Sequence, residues 1–188
     1  MAIREILEVP DPVLKQVSVP VTEFNAELRT LVDDMFETMY DAPGIGLAAI
    51  QVGVPLRVLV IDLQPEDEDA EPEPCNHDGH HHHHQPTKKE PLVFINPVLS
   101  DPSDDHTVYQ EGCLSVPEIY ADVERPSHIR AQWQDLDGKQ HDEVIEGLLA
   151  TCLQHEMDHL EGILFIDHLS RLKRGMALKK LEKLRKAA

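Results

Sequence analysis

Apolar residues recur along this chain at two spacings, and each spacing predicts one kind of element. Between residues 24 and 39 they return every three or four positions, which predicts an amphipathic helix ending before Pro43-Gly44. Apolar runs at 56–61 and 92–95 predict strands, and alternation at 129–133 followed by Asp137-Gly138 predicts a hairpin. Ser170 is a candidate N-cap for a final helix. Short strands combined with a few helices indicate an α+β domain.

A further helix is predicted around the segment Gln154-His155-Glu156-Met157-Asp158-His159. Residues four apart share one helix face, so His155 and His159 can reach one metal ion, and Glu156 can transfer protons beside it. The alternative is a surface helix on which the two histidines are neighbours by chance. It is disfavoured because the leucines around the motif are typical of buried positions, and burying two histidines and a glutamate without a metal would cost free energy. Apolar residues at helical spacing surround the motif: Leu148, Leu149, Cys152, Leu153 and Leu160. The expected fold class is α+β, with small mixed or antiparallel sheets packed around this central metal-binding helix and with a C-terminal helix.

Two histidines leave a catalytic metal site one protein ligand short. In the metzincin pattern a glycine and then a third histidine follow, but here Gly162 is followed by Phe165 at the histidine position. Glu182 lies among lysines and arginines, which is typical of a solvated ion-pairing residue. Cys113, within Glu111-Gly112-Cys113-Leu114-Ser115, is the better candidate, because a thiolate is a strong ligand for zinc or ferrous iron.

A third segment, Gly44-Ile45-Gly46-Leu47-Ala48-Ala49-Ile50-Gln51, is rich in small residues. Small residues allow a backbone to approach a ligand closely, and Gln51 offers an amide donor. Such a run by itself is equally typical of tight packing or a turn. It is not a dinucleotide-binding fingerprint, because the third glycine of that motif is missing.

These three segments, in this order, resemble the sequence blocks of the peptide deformylase family, and the resemblance extends from Val9 to about Leu169. Family members remove the formyl group from the N-terminal formylmethionine of newly synthesised proteins and release formate. The resemblance implies that Cys113, His155 and His159 hold one divalent metal ion. The native ion is expected to be Fe²⁺, with Zn²⁺ or Ni²⁺ able to substitute.

The resemblance also implies how the reaction is divided among side chains. Glu156 would accept a proton from the attacking water and deliver it to the departing amine. The metal, the Gln51 amide and the Leu114 backbone N–H would stabilise the developing oxyanion. Without the resemblance, Gln51 could equally be a packing or loop-capping amide. Glu111 is expected to orient neighbouring backbone rather than to perform chemistry.

The methionine side chain of such a substrate calls for an apolar pocket near the metal. Leu148 and Cys152 precede His155 by seven and three residues, on the same helix face, although ordinary core packing would explain them as well. The resemblance adds Ile45 and Tyr109 as walls. An extended peptide could also pair its backbone with the segments around Ile45-Gly46 and Gly112.

Composition fits one enzyme domain outside the membrane. The chain has 188 residues and no apolar run of membrane-spanning length, and its start lacks a basic region followed by an apolar stretch. Three cysteines do not make a disulfide framework, and Cys113 is better used as a ligand. The expected location is the cytoplasm, where a reducing environment protects an iron–thiolate site.

Residues 64–90 depart from the family pattern. This segment is acidic and proline-rich and contains Cys75 and a histidine run at positions 80–84. Its composition predicts a disordered insertion within a single catalytic domain over residues 1–170. The insertion is expected to be a tolerated loop extension, with capture of divalent ions as the sharper alternative.

Positive charge is concentrated at the C-terminal end of the chain, whereas the rest of the chain is acidic. The net charge is −18, but residues 171–186 carry eight basic groups against the single Glu182. Residues 171–188 are therefore expected to form a basic C-terminal helix. Family members dock on the ribosome through such a helix, while on sequence alone a solvated helix complementing the acidic body is equally plausible.

Two other functions are compatible with parts of the sequence. A zincin-like peptidase is disfavoured by Phe165 and by the complete Cys113 segment. A non-catalytic metal-handling protein would explain the histidine run, but it would need neither Glu156 nor Gln51.

Overall fold

A computed structural model describes residues 2–65 and 88–187 of the chain. The first helix, α1, spans Ala26–Asp41 and begins where the Asn25 side chain accepts a hydrogen bond from the Leu28 N–H at 3.0 Å. This cap satisfies one of the donors that a helix start leaves open. The helix predicted over residues 24–39 is thereby confirmed, with its start two residues later. Its apolar face, including Met35 and Met39, is buried against β-strands.

Antiparallel strands form two sheets. The strands are β1 (Gly46–Ala48), β2 (Val58–Ile61), β3 (Leu92–Ser100), β4 (His106–Cys113), β5 (Val116–Pro126), β6 (His128–Gln134) and β7 (Gln140–Glu146). The larger sheet has the order β1-β2-β3-β6-β7, and β4 pairs with β5 in a separate two-stranded sheet. The predicted strands at 56–61, 92–95 and 129–133 correspond to β2, β3 and β6, and Gly138, at φ 76°, lies in the predicted turn between β6 and β7.

The second helix, α2, lies at the centre of the molecule. It spans Gly147–Leu160 and contacts both sheets, while Leu153 and Leu160 are fully buried in the main core. The helix ends at a glycine turn: Gly162 has φ 70°, and the Ile163 N–H donates to the Asp158 carbonyl at 2.8 Å. The expected α+β fold with a central helix is confirmed, and every strand pair within these sheets is antiparallel.

The C-terminal helix, α3, spans Arg171–Ala187. The Lys173 N–H donates to the Ser170 hydroxyl at 3.3 Å, in agreement with the predicted cap. Ala177 and Leu181 are buried in a cluster that includes residues of β5. The Lys180 ammonium donates to the Glu118 carbonyl at 2.7 Å, so this lysine supports the β5 segment rather than pointing only into solvent.

The segment predicted to be an insertion begins and ends at a narrow neck between β2 and β3. The Lys88 N–H donates to the Pro65 carbonyl at 2.8 Å. Asp62, which is fully buried, accepts from the N–H groups of Gln64 and Glu90 at 3.0 and 3.1 Å. Residues 66–87, with Cys75 and the histidine run, lie outside the described residues, so the disorder and the domain division stay predictions. Within residues 2–65 and 88–187, no helix is long and apolar enough to cross a membrane.

Candidate metal centre and catalytic cavity

The three residues predicted to bind a metal come together at the junction of β4 and α2. One ligand atom from each of Cys113, His155 and His159 lies within 4.8 Å of the other two. The Cys113 Sγ atom is 3.2 Å from Nε2 of His159. Cys113 ends β4, whereas the two histidines occupy adjacent turns of one face of α2. The cluster therefore joins the smaller sheet to the central helix.

Glu111 holds the ring of His155 in place. Its Oε2 atom lies 2.8 Å from Nδ1 of His155, which leaves the Nε2 atom to face Cys113 and His159. The Arg125 guanidinium donates to both oxygens of Glu111, at 2.6 and 3.0 Å, and also to Asp158 at 2.9 Å. Burial alone would raise the pKa of Glu111, but the hydrogen bonds from His155 and Arg125 lower it to about 2.

This arrangement changes the role expected for Glu111 and adds a residue that the sequence analysis missed. Glu111 orients a side chain of the cluster, not only nearby backbone. Arg125 is almost fully buried and follows Val123 on the inward side of β5. A charged residue at an inward position of an alternating strand was the available signal, since buried charges require partners.

Glu156 presents a buried carboxylate beside the three ligand atoms. Its Oε2 atom has no hydrogen-bond partner among the described residues. A Cβ atom built on Gly46 would lie 2.5 Å from Oε1 of Glu156, so the absence of a side chain at Gly46 makes room for this carboxylate. Burial raises the pKa of Glu156 to about 7, with a partial opposing effect from His155. A group with such a pKa can both accept and donate a proton near neutral pH.

The amide of Gln51 is oriented by its surroundings. Its Oε1 atom accepts from the Ala48 N–H at 2.8 Å, which directs the Nε2 group the other way. Nε2 donates to the Ser115 hydroxyl at 3.1 Å and lies 3.5 Å from the Cys113 sulfur. Ser115, which is fully buried, was not singled out by the sequence analysis as a partner of Gln51. The donor thus points at the cluster.

The donor set fits a divalent transition-metal ion. One thiolate and two imidazoles are ligands that zinc and ferrous iron accept. Burial lowers the pKa of His159 well below its ordinary value, so its ring is neutral, which is the form that binds a metal. The hydrogen bond that the His155 Nδ1–H donates to the Glu111 carboxylate is also typical of metal-binding histidines.

A cavity of about 510 Å³ opens beside the cluster. Ile45 and Leu148 stand at its mouth with 40% and 42% of their surface exposed, whereas Cys152 is buried. Leu114, Glu156 and Gln51 also line this cavity, together with Cys113 and His155, while His159 lies behind it. All the residues predicted to contact substrate are part of its wall: Ile45, Gly46, Tyr109, Gly112, Leu148 and Cys152.

Two strand edges border the cavity. β1 is an outer strand of the larger sheet, and β4 pairs with β5 only. The cavity is lined by Ile45 and Gly46 on one side and by β4 residues from Tyr109 to Cys113 on the other. An extended peptide between these edges would have backbone partners available on both sides.

Phe165, at the position where a metzincin has its third histidine, does not offer a ligand. Its ring stacks on His155, with ring centroids 6.0 Å apart and an interplanar angle of 25°. Glu182 forms an ion pair with Lys186 at 2.6 Å, as the sequence analysis predicted. The third nitrogen or sulfur donor near the histidines is therefore Cys113.

Comparison with known proteins agrees with this geometry. Residues 3–175 match the family model described as polypeptide deformylase. A peptide deformylase of Novosphingobium aromaticivorans is 83% identical over 188 residues, covering all of both chains. One from Erythrobacter litoralis is 70% identical, again over the full length of both.

Solved structures agree as well. The crystal structure of a peptide deformylase from Legionella pneumophila superimposes with a TM-score of 0.83 at 44% identity, covering 99% of this chain and 97% of the other. A Synechococcus elongatus peptide deformylase in complex with actinonin has a TM-score of 0.79 at 42% identity, with 94% and 86% covered.

Proposed function

The chain belongs to the peptide deformylase family, and on that premise we propose that Cys113, His155 and His159 hold its catalytic metal ion. The enzyme removes the formyl group from the N-terminal formylmethionine of newly synthesised proteins. The observation that carries the proposed site is the convergence of three ligand atoms within 4.8 Å of one another, two of them from residues that line the cavity, beside a buried carboxylate.

Ferrous iron is proposed as the native ion, with Zn²⁺ or Ni²⁺ as substitutes. A thiolate combined with two imidazoles is compatible with each of these ions, and the hydrogen bond that the His155 Nδ1–H donates to Glu111 would make the His155 ring a more basic ligand. When bound, the ion supplies Lewis acidity, which polarises the formyl carbonyl and lowers the pKa of a water molecule. The residues around it direct that chemistry.

Glu156 is proposed to move the proton. Its pKa of about 7 lets it take a proton from the attacking water and later deliver it to the amine of the leaving peptide. The unpartnered Oε2 atom is the oxygen available for this exchange. Because Gly46 has no side chain, the carboxylate keeps its place beside His155.

Gln51 and the backbone N–H of Leu114 are proposed to stabilise the oxyanion. The contact between Ala48 and the Gln51 oxygen fixes the amide with its donor side toward Cys113, so little reorganisation is needed during the reaction. Leu114 lies in the short turn between β4 and β5, next to Cys113, and lines the same cavity.

The apolar part of the cavity is proposed to select methionine. Leu148 and Cys152 come from the turns of α2 that precede His155, and Ile45, whose carbonyl is 3.9 Å from the Cys152 sulfur, lines the same part of the cavity. Tyr109 and Gly112 on β4, with Gly46 on β1, would line the peptide backbone. Recognition through one methionine and backbone atoms would allow many different new chains to be processed.

The remaining features concern the setting of the enzyme. We propose that residues 1–170 form one catalytic domain, that residues 171–188 form a basic element able to dock on the ribosome, and that the protein works in the cytoplasm. Several lysines of α3 are exposed, which supports contact with RNA phosphates, and a thiolate ligand is best preserved in a reducing compartment.

Formate release from formyl-Met-Ala-Ser tests the site assignment. Cys113→Ala should lose both metal content and activity, measured in a chain without residues 80–84 so that those histidines cannot hold stray metal. A Cys113→Ala protein that keeps full metal content would contradict the ligand set.

Glu156→Gln separates proton transfer from metal binding. The variant should keep its metal but lose about a hundredfold or more in turnover. Glu146→Gln, an exposed change at the start of the same helix, is the matched control and should behave like the unmodified enzyme. Near-normal turnover by metal-loaded Glu156→Gln would exclude Glu156 as the acid–base group.

A further inference from the structure

A second cavity, of about 470 Å³, adjoins the catalytic one. It lies between the β4–β5 sheet and α3, on the side away from the metal ligands. Gln110, Ile119 and Tyr120 line both cavities, so the two spaces are neighbours that share a wall formed by the smaller sheet. A peptide held by its first residues in the catalytic cavity would have this second space next to it.

The path between the cavities runs along β4. Gly112 is opposite Tyr120 in the strand register, and Gln110 is opposite Asp122, so these four residues share one face of the sheet. The Tyr120 ring lies across Gly112, because a Cβ atom there would be only 2.6 Å from the ring. Tyr120 is 67% exposed, which is high for an aromatic side chain at the rim of a cavity.

The second cavity has an apolar floor and a basic rim. Ile119 and Ala177 are buried at its base, and Met176, although apolar, is 64% exposed on α3. Two lysines of α3, Lys173 and Lys180, line the side formed by that helix, and one acidic residue, Asp122, lines the side formed by β5. The hydrogen bond from Lys180 to the Glu118 carbonyl fixes α3 against β5 next to Ile119, which lines both cavities, so this rim has a defined position.

We propose that this second cavity binds the part of the substrate that follows its third residue. The occupant is the same formylmethionyl chain, and the preferred sequence is an apolar side chain followed by acidic ones. The wall shared with the catalytic cavity supports this occupant, and the two positive charges of Lys173 and Lys180, which outnumber the one negative charge of Asp122, complement carboxylates. An extended chain advances by about 3.3 Å per residue, so residues four to six extend a bound peptide by roughly 10 Å beyond its third residue. The proposal rests on the deformylase function stated above and narrows its substrate class.

Three peptides test it: formyl-Met-Ala-Ser, formyl-Met-Ala-Ser-Leu-Glu-Glu and formyl-Met-Ala-Ser-Leu-Lys-Lys, each assayed by formate release at physiological salt. The acidic hexapeptide should have a KM roughly tenfold below that of the tripeptide, because it adds apolar burial and charge pairing. The lysine hexapeptide should lie between the two. Values of kcat should agree, since the added residues do not touch the reacting atoms.

Lys173→Glu provides the decisive variant. In this variant the lysine hexapeptide should have a lower KM than the acidic hexapeptide. The KM of the tripeptide should stay unchanged, since Lys173 does not line the catalytic cavity. Lys179→Glu, on the same helix but outside the second cavity, makes the same charge change and should keep the original order.

The possible failures are distinguishable. Equal KM values for all three peptides, or a preference that survives Lys173→Glu, would overturn the second subsite while leaving the deformylase assignment intact. A lack of formate from the tripeptide would instead overturn the assigned catalytic site.

Discussion

The carboxylate of Glu111 lies 2.8 Å from Nδ1 of His155, and this contact sets which ring nitrogen faces Cys113 and His159. The carboxylate is itself held by Arg125 in a buried two-point ion pair. The ligand geometry therefore depends on a residue of β5 that touches no ligand directly. The main effect of removing the Glu111 charge should therefore be a lower metal affinity.

Glu111→Gln should weaken metal affinity roughly tenfold to a hundredfold, because the His155 ring loses a charged partner that orients it. Competition with a chelator, monitored by metal content, measures the change. Glu124→Gln is the control, since Glu124 is exposed on β5. The variant will also unfold more easily, because Arg125 is left buried with one partner fewer, so affinity is compared at a temperature where both proteins are folded. Unchanged affinity would show that Glu111 does not position the ring.

Gly46→Ala should keep the metal and lose turnover. The added Cβ would stand 2.5 Å from Oε1 of Glu156 and 3.0 Å from Sγ of Cys152, so the carboxylate must move. A displacement of about 1 Å in a catalytic group can cost roughly a hundredfold in rate. Gly175→Ala is the matched control, since a Cβ there would meet nothing within 4 Å. Normal turnover by metal-loaded Gly46→Ala would contradict the position assigned to the Glu156 carboxylate.

Replacing residues 66–87 with an Asn-Gly turn should leave deformylation and the melting temperature unchanged at saturating metal. The backbone hydrogen bond between Pro65 and Lys88 and the two accepted by Asp62 already close the neck without help from that segment. Loss of activity in the shortened protein would assign the segment a direct role.

The same pair of proteins tests metal capture. After removal of the metal and addition of a limiting amount, faster reactivation of the full-length protein would support capture of ions by the histidine run. Equal rates would support the simple loop extension.

Charge reversal at Lys179 and Lys183 should weaken co-sedimentation with ribosomes, and the difference should shrink as salt concentration rises. Lys180 is left unchanged because its ammonium supports the Glu118 carbonyl. Lys139→Glu, an exposed change in the β6–β7 turn, shows the effect of reversing one charge away from α3. Activity on formyl-Met-Ala-Ser should be the same in all three proteins. Equal ribosome binding, or binding insensitive to salt, would argue against docking through α3.

The sequence predicted those parts of the structure that depend on local spacing. Two histidines four residues apart on a helix must share a face, so the pair His155 and His159 could be recognised without a fold. The ion pair between Glu111 and Arg125 could not be predicted from the sequence, because it depends on the register of a hairpin and on which strand face is buried. The hydrogen bond from Lys180 to Glu118 could not be predicted for a similar reason. A lysine in a lysine-rich segment is expected to be exposed to solvent, and only the packing of α3 on β5 brings Lys180 to the Glu118 carbonyl.

Strand lengths show the same limit. The segment predicted over residues 92–95 continues as β3 to Ser100, past Pro97. Asn96, at φ 52°, and a shift in the pairing with β6 accommodate this irregular stretch. Proline is normally a sign that a strand has ended, so the sequence alone stops the element too early.

The turn at Gly162 explains why this chain resembles another class of metalloenzyme for part of its length. A helix that carries two ligands must end soon after them, and a glycine with positive φ, here pressed against the Lys15 carbonyl, brings the chain back toward the helix. Phe165 then arrives over His155, where metzincins offer a histidine. The residue that follows the turn distinguishes the two classes: metzincins place a ligand there, whereas this chain places an aromatic ring beside His155, and Cys113 on the separate strand β4 is its proposed third ligand.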